Sequence, residues 1–171
     1  MLKKRKNVLI IVLSLIIVII LSIYSIRKFS QTELDDVHPS IPCENELIQK
    51  SDILWVIPLF ENISINEYGE WCIDIMGLNK TLGLHGVHHT YEEFNQNIGE
   101  GYLEKGIDEF EDCFGYRPLM FKPPQLTMSN KNKELLKNNG FISKGRFNQL
   151  FHKVYHCSDT GLFSNKVVSI F

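Results

Sequence analysis

Residues 81–89 read TLGLHGVHH, a short apolar run that ends in three of the six histidines in the chain. The apolar part predicts a buried strand over residues 81–85. His85 and His89 lie four positions apart, and the flexible Gly86 between them allows both imidazoles to face one point. Neutral imidazole binds Zn²⁺ and similar divalent metals, so the stretch predicts a metal site. A solvated histidine cluster without a metal is the alternative that spacing alone leaves open.

Short apolar runs alternate with helical patterns on both sides of this stretch. Further strands are predicted at residues 53–60, 119–122, 140–142, 153–156 and 166–171, and helices at residues 66–78, 91–114 and 129–139. Ser129 is the predicted N-cap of the last helix, and Gly140 follows its C-terminus. Strands that alternate with helices predict an α/β fold with a mainly parallel sheet or barrel. In such folds the chemistry takes place at the C-terminal ends of the strands.

A second polar stretch, LDDVHP at residues 34–39, places two carboxylates side by side. In a metal site, one carboxylate can bind the metal while its unligated neighbour takes a proton from the attacking water. Asp35 and Asp36 are therefore candidates for these two tasks. The alternative is a solvated acidic pair before a turn at Pro39, because most aspartates lie at the surface.

Three motifs follow one another along the chain: LDDVHP at residues 34–39, LHGVHH at residues 84–89 with Glu93-Phe94 behind it, and FKPP at residues 121–124. In this order they closely resemble the motifs of the NodB-like polysaccharide deacetylases. The closer likeness is to a poorly characterised branch that reads LDDVHP, LHGxxH and FxPP. The resemblance covers residues 34–171 and implies a small, distorted NodB-like (β/α) barrel.

The resemblance also implies a role for each polar residue. The metal ligands are one carboxylate and two imidazoles, namely Asp36, His85 and His89. Asp35 is the catalytic base, and His156 near the C-terminus is the general acid that protonates the leaving group. His88 lies between the two ligand histidines but is not at a ligand position of the family.

Lys122 departs from the family pattern, because better-known members carry an arginine there that orients the base. Lysine keeps the positive charge but loses the paired hydrogen bonds that a guanidinium makes with a carboxylate. The domain is also short for a NodB barrel, and the aspartate–tryptophan segment that lines the substrate groove in better-known members is not evident. These differences leave the substrate open.

The activity that the resemblance implies is metal-dependent hydrolysis, with Zn²⁺ as the expected divalent metal. The enzyme would remove N-acetyl or O-acetyl groups from a cell-surface polysaccharide or glycoconjugate, so the expected partner is a carbohydrate. One alternative is an inactive metal- or carbohydrate-binding module of the same fold. Another is a different metal-dependent hydrolase that acts on a peptide or a phosphate.

The N-terminal part of the chain predicts a membrane anchor. Residues 8–26 carry no charge, and at 1.5 Å per residue they span about 28 Å, close to the ~30 Å hydrocarbon core of a bilayer. More basic residues precede this run than follow it, which predicts a cytoplasmic tail (residues 1–7), an anchor (8–26), a stalk (27–33) and an extracytoplasmic domain (34–171). The main alternative is a cleaved signal peptide, but residues 24–27 offer no small-x-small cleavage site.

The charge and the cysteines of the part beyond the anchor narrow its chemistry further. Six of the 18 Lys and Arg residues flank the anchor and all 20 acidic residues follow it, so the rest carries about −8. That sign disfavours a nucleic-acid partner. The four cysteines form no CxxC pair, which argues against a cysteine-based zinc site. An extracytoplasmic location permits two disulfides in any of three pairings, and buried free thiols are the alternative.

Overall fold

The protein is described by a computed structural model that covers residues 2–170. Helix α1 (Leu2–Phe29) opens the chain. Within it, the segment Arg5–Phe29 is long and apolar enough to cross a membrane, and most of its apolar side chains are exposed. Strand β1 begins at Thr32, shortly after α1 ends.

Six parallel strands form a single sheet: β1 (Thr32–Val37), β2 (Ile53–Val56), β3 (Thr81–His85), β4 (Met120–Lys122), β5 (Ile142–Ser143) and β6 (Lys153–His156). Their order is β5-β4-β3-β2-β1-β6, so β5 and β6 lie at the two edges. The predicted α/β class with a parallel sheet and an apolar N-terminal helix is confirmed. Parallel sheets are covered on both faces, which explains why β2 reads as four apolar residues in a row.

Six further helices accompany the sheet within the described residues: α2 (Asn45–Lys50), α3 (Gly69–Gly77), α4 (Glu100–Phe114), α5 (Asn130–Asn138), α6 (Arg146–Phe151) and α7 (Asn165–Ile170). Helix α4 contributes most to the core, because Leu103, Ile107 and Phe110 lie on one face and are fully buried. Helix α5 begins as predicted: the Ser129 hydroxyl accepts a hydrogen bond from the backbone N–H of Asn132. Gly140 follows it with a φ of 79°.

Several predicted boundaries are wrong. The strand predicted over residues 53–60 ends at Val56, shortly before Pro58, which has no N–H for the ladder. The helix predicted over residues 66–78 is broken at Tyr68 into a short 3₁₀ turn and α3. The helix predicted over residues 91–114 starts only at Glu100, because Gly99 is extended and the preceding residues form a separate turn.

The strand predicted over residues 166–171 is wrong for residues 166–170, which belong to helix α7; residue 171 lies outside the described residues. The reason is a tertiary contact. The Asn165 side chain accepts a hydrogen bond from the His156 backbone N–H and donates one to the His156 carbonyl, at 3.0 and 2.8 Å. This contact fixes the start of α7 against the end of β6, where a further strand cannot follow.

Two disulfides resolve the pairing that the sequence left open: Cys43–Cys157 and Cys72–Cys113. The first joins the loop that precedes α2 to the residue directly after β6. The second joins α3 to α4. The alternative of free thiols is therefore wrong for all four cysteines.

Candidate metal centre

The two neighbouring carboxylates of β1 point toward the same end of the sheet because the strand is irregular there. In a regular strand, successive side chains lie on opposite faces. Here the pairing with β2 shifts register between Leu34 and Val37, and Asp36 has a φ of 62°. Such irregularities redirect side chains. As a result, both Asp35 Oδ2 and Asp36 Oδ1 approach the Nε2 atom of His85, at 4.0 and 3.4 Å.

The last residue of β3, His85, has a fixed orientation. Its Nδ1 lies 2.9 Å from the backbone carbonyl of Lys122 on the adjacent strand β4. A carbonyl only accepts hydrogen bonds, so Nδ1 carries the proton and Nε2 of the neutral ring presents a lone pair. That lone pair faces the Asp36 carboxylate, an arrangement that requires a proton or a metal cation between them. Burial alone would lower the pKa of His85, but the hydrogen bond with Asp36 and the charges of Asp35 and Asp36 raise it.

His89 reaches the same point through the turn that follows β3. Gly86 and His89 both have left-handed backbones, with φ values of 68° and 58°. A side chain at position 86 would collide with Glu93 and Pro124, so the turn requires glycine on two counts. The His89 Nε2 atom lies 3.0 Å from Asp36 Oδ1. Two histidines four residues apart thus converge without a helix.

Glu93 organises the turn from inside. Its buried carboxylate accepts hydrogen bonds from the backbone N–H groups of Val87 and His88, and from the hydroxyl of Tyr102. Burial together with the Glu93 carboxylate raises the pKa of Tyr102, so the phenol remains a donor. The ring of His88 packs against Tyr102, with centroids 5.6 Å apart, and it is not part of the cluster formed by the other two histidines.

Asp36, His85 and His89 form what we call the metal triad, and their geometry fits a divalent cation. One ligand atom from each residue lies within 4.8 Å of the other two. Ligands about 2.0–2.1 Å from a tetrahedral Zn²⁺ are separated by roughly 3.3 Å, close to the 3.0 and 3.4 Å separations of Asp36 Oδ1 from the two imidazoles. Burial would raise the pKa of Asp36, but hydrogen bonds and charge from both histidines hold it well below its usual range.

A second group of charges adjoins the metal triad, and we call it the buried ion cluster: Glu33, Asp35 and Lys122. The Lys122 ammonium lies 2.7 Å from Asp35 Oδ1 and 3.1 Å from Glu33 Oε2, and its side chain is fully buried. Burial alone would lower the pKa of Lys122, but the two carboxylates raise it, so the ammonium stays charged. The position that departs from the family pattern therefore does contact the predicted base.

The predicted general acid lies on the other side of the base. Strand β6 pairs with β1 so that His156 is directly opposite Asp35, and His156 Nε2 lies 3.5 Å from Asp35 Oδ2. Its other ring nitrogen, Nδ1, is buried without a hydrogen-bond partner. The sheet thus brings Asp35 between Lys122 and His156, although the three residues are far apart in the sequence.

These side chains open into a cavity of about 610 Å³. Its polar wall includes both aspartates of β1, both histidines of the metal triad and His156. Its other lining residues come from the loop after β4, from helix α6 and from residues 160–162. All five residues that the motifs singled out therefore line one space: Asp35, Asp36, His85, His89 and His156.

Sequence reasoning missed two residues of this region. Glu33 is fully buried, and its carboxylate accepts a hydrogen bond from Trp55 Nε1 at 2.7 Å besides contacting Lys122. Thr160 donates a hydrogen bond to Asp36 Oδ2 at 2.9 Å. The spacing of Glu33 and Asp35, two apart, was a usable signal, since such residues share one face of a strand. No local signal indicated Thr160.

Comparisons with known proteins find likeness only among solved structures: no family model and no curated protein matches the chain. A polysaccharide deacetylase of Bacillus cereus is 14% identical, with a TM-score of 0.42, over 61% of this chain and 45% of that one. A mutant of the peptidoglycan deacetylase PdaC of Bacillus subtilis is 18% identical, with a TM-score of 0.42, over 54% and 43%.

A third solved structure, a CE4-family pseudoenzyme of Bacillus anthracis, is 13% identical, with a TM-score of 0.44, over 53% of this chain and 31% of that one. The chain thus spans less than half the length of these three proteins.

Proposed function

We propose that the chain is a metal-dependent deacetylase that removes N-acetyl or O-acetyl groups from a cell-surface polysaccharide or glycoconjugate. One observation carries the proposal: a lone pair of His85 faces the Asp36 carboxylate, while a second carboxylate, Asp35, lies within 4.0 Å of the same nitrogen. The first pair needs a proton or a metal cation between its two atoms, and His89 Nε2, at 3.0 Å from the same carboxylate oxygen, completes a set of metal ligands. A plain metal site does not need the second carboxylate, whereas hydrolysis needs a base at that place.

The metal triad supplies the ligands, and its oxygen and imidazole donors suit Zn²⁺. When bound, a divalent metal would polarise the acyl carbonyl and lower the pKa of a water molecule. The hydrogen bond from His85 Nδ1 to the Lys122 carbonyl supports this role, because it fixes the tautomer and the ring orientation that a metal ligand requires.

Asp35 is the proposed base. Its Oδ1 is held by the Lys122 ammonium at 2.7 Å, while its Oδ2 faces the cavity and His156. The base thus has one oxygen fixed and one available to take a proton from the attacking water. A buried ammonium beside it also holds the carboxylate in place without the paired hydrogen bonds of an arginine.

His156 is the proposed acid for the leaving amine or alcohol. It borders the cavity, and Nε2 faces Asp35, so a proton taken by the base can be handed on across 3.5 Å. Gly161 lies against the other side of the ring, where any larger residue would meet the imidazole. The ring is therefore positioned by contact as well as by the strand that carries it.

The proposal extends to the domain organisation and the location: a cytoplasmic tail over residues 1–7, an anchor over 8–26 and an extracytoplasmic domain beyond them. The sequence placed a stalk over 27–33 and the domain over 34–171, but β1 begins at Thr32, so the domain begins there and the stalk is shorter than predicted. The apolar span of Arg5–Phe29 supports the anchor. The disulfides Cys43–Cys157 and Cys72–Cys113 support an oxidising compartment, since such bonds are rare in the cytosol.

The test is metal analysis and acetate release on the full chain in detergent, with acetylated oligosaccharides as substrates. We expect one metal ion per wild-type chain and none in His85→Ala. Asp35→Asn should keep the metal but lose about 10²–10⁴-fold in kcat. His88→Ala is the matched control, because its ring is outside the metal triad, and it should keep both properties.

Two results would contradict this proposal. Equal metal content in wild type and His85→Ala would remove the metal site. A wild-type chain that binds one metal ion but releases no acetate from any substrate would instead support the alternative of an inactive binding module of the same fold.

A further inference from the structure

A second cavity of about 570 Å³ adjoins the catalytic one. The two cavities share four lining residues: Arg146, Gln149, His156 and Leu162. The proposed acid, His156, therefore has one cavity on each side. A ligand in the second cavity would therefore be separated from the proposed site of acyl cleavage only by the His156 side chain.

The walls of the second cavity are mostly apolar and come from three helices, strand β6 and the loop before α7: Ile23, Leu150, Val154, Phe163, Val167 and Val168. Ile23 belongs to the part of α1 that is apolar enough to cross a membrane. Arg27, one turn further along, donates hydrogen bonds to the carbonyls of Gln149 and Leu150 at 2.6 and 3.2 Å. This contact fixes α1 against α6, so the cavity lies at the junction of the membrane helix and the domain.

The apolar side chains at this junction are not covered by the protein. Leu162 is 87% exposed and Phe163 is 61% exposed, while Leu150 and Val167 are each about half exposed. Apolar surface of this kind in water marks a site of association. Because Ile23 of the candidate membrane helix lines the cavity, a hydrocarbon chain is the occupant that fits it.

Arg146 adds a charge at the boundary between the cavities. It is exposed, it lines both of them, and among the described residues no hydrogen bond or ion pair engages its guanidinium. Guanidinium groups bind phosphate through paired hydrogen bonds. The two adjoining cavities thus form one groove. It runs from a polar catalytic end, past the Arg146 guanidinium, to an apolar end at the membrane helix.

We propose, on the basis of the proposed function, that the substrate is an amphipathic glycan whose sugar is joined to a hydrocarbon chain through an anionic linker. The acetylated sugar occupies the catalytic cavity, the linker contacts Arg146, and the chain lies in the apolar cavity along α1. The substrate is then taken from the membrane surface and not from a polymer in solution.

The experiment uses the full chain in detergent, loaded with Zn²⁺, and a series of acetylated sugar phosphates with methyl, butyl, hexyl and octyl esters. Each buried methylene contributes about a fourfold gain in affinity. We expect kcat/KM to rise at least tenfold from the methyl to the hexyl compound. Uncharged alkyl glycosides of the same chain lengths should be poorer substrates, and Arg146→Gln should remove most of that difference.

Longer alkyl chains also partition more strongly into the micelle, and this effect is the same for every variant. Two substitutions in the apolar cavity therefore isolate the contribution of the cavity to the chain-length dependence of kcat/KM. Phe163→Ser and Val167→Asp should flatten the dependence on chain length at least fivefold. Ile73→Ser is the matched control, since this side chain is 73% exposed on α3, outside the cavity. Its chain-length dependence should equal that of wild type.

A readout independent of activity comes from an octyl compound with a photoreactive diazirine in its chain. We expect cross-links confined to Ile23, Leu150 and residues 161–168, as mapped by mass spectrometry. Cross-links spread evenly along α1 would mean that the chain stays in the micelle, and they would overturn the proposal.

The results keep the two proposals apart. Hydrolysis of all compounds at equal kcat/KM would overturn the amphipathic substrate and leave the deacetylase standing. Hydrolysis of none, with cross-links confined to the cavity, would overturn the deacetylase and support the groove as a lipid-glycan site. A rise in kcat/KM with chain length that persists in Phe163→Ser and Val167→Asp would also overturn the proposal that the hydrocarbon chain lies in the apolar cavity.

Discussion

The metal triad and the buried ion cluster adjoin each other at the same end of the sheet, yet their charges are balanced in different ways. In the cluster, one ammonium lies between two carboxylates, and Glu33 has further partners in Trp55, Asn148 and His152. In the triad, the Nε2 atoms of two histidines face one carboxylate oxygen of Asp36. The charges of the cluster are paired within the protein, whereas the triad presents ligand atoms that a metal cation would complete. The comparison indicates that the buried ion cluster stabilises the structure, whereas the metal triad is the site of the chemistry.

The largest effect is expected from Asp36→Ala, which removes the ligand shared by both histidines of the triad. We expect no bound metal and a loss of roughly 10³-fold in hydrolysis, because the metal contributes several kcal/mol of charge stabilisation. Metal analysis and acetate release measure both. Asp74→Ala, at an exposed position of α3, is the control and should behave as wild type. Full metal content in Asp36→Ala would contradict the assignment of the metal to the triad rather than to the buried ion cluster.

Lys122→Met is expected to act on stability. It leaves the carboxylates of Glu33 and Asp35 buried without their common cation, and removal of one partner of a buried ion pair costs about 3–5 kcal/mol. Urea unfolding without metal measures the change in the free energy of unfolding. The His85 ring contacts only the backbone carbonyl of residue 122, so the folded fraction should still bind metal.

The control for this experiment is Lys105→Met, at an exposed position of α4. It should change the free energy of unfolding by less than about 0.5 kcal/mol, as surface substitutions usually do. If Lys122→Met changed the free energy of unfolding as little as the control does, the buried ion cluster would not stabilise the fold.

The two regions also differ in how far the sequence could predict them. Strand β3 and its histidines followed from a local apolar run and a close spacing, and the predicted strand bounds match the observed ones. Strand β1 was not predicted as a strand, because Glu33, Asp35 and Asp36 make it look solvated. The burial of Glu33 and Asp35 depends on Lys122, which is 89 residues away from Glu33 in the chain.

The C-terminal end repeats this lesson. Residues 166–170 read KVVSI, and β-branched residues favour a strand. The side chain of Asn165, bonded to the backbone of His156, overrides that preference and starts a helix. The pairing of Cys43 with Cys157 likewise joins residues 114 positions apart. Contacts over such distances cannot be deduced from local patterns, which is why motif order was needed to group the five site residues.

Removal of the Cys43–Cys157 disulfide tests a third element, the strand that carries the proposed acid. Cys157 follows His156 directly, so the bond fixes the end of β6 beside β1. We expect the double variant Cys43→Ser/Cys157→Ser to lose about 2–4 kcal/mol of stability in chemical unfolding. Metal content should stay at one ion per chain, because the metal triad is carried by β1, by the last residue of β3 and by the turn that follows it.

Cys72→Ser/Cys113→Ser is the matched control for the position of the bond. It joins α3 to α4, away from the cavity, and should lower stability without lowering kcat of the folded protein. A loss of kcat confined to the first double variant would tie the Cys43–Cys157 bond to the placement of His156. Equal kcat values in both would show that β6 holds His156 without it.

The smallest effect is expected from Glu33→Gln, which keeps the size and the acceptor for Trp55 but removes one negative charge from the cluster. Lys122 then has Asp35 as its only carboxylate partner, so its ammonium stays paired. We expect a loss of about 1–3 kcal/mol in the free energy of unfolding, since a buried charged hydrogen bond becomes a neutral one. Metal content should not change, and kcat should fall less than tenfold, because Asp35 is still held.

Glu33→Gln combined with Lys122→Met should destabilise less than the sum of the single variants, since both remove the same contact. Strict additivity in unfolding experiments would contradict the picture of one buried cluster that holds the base.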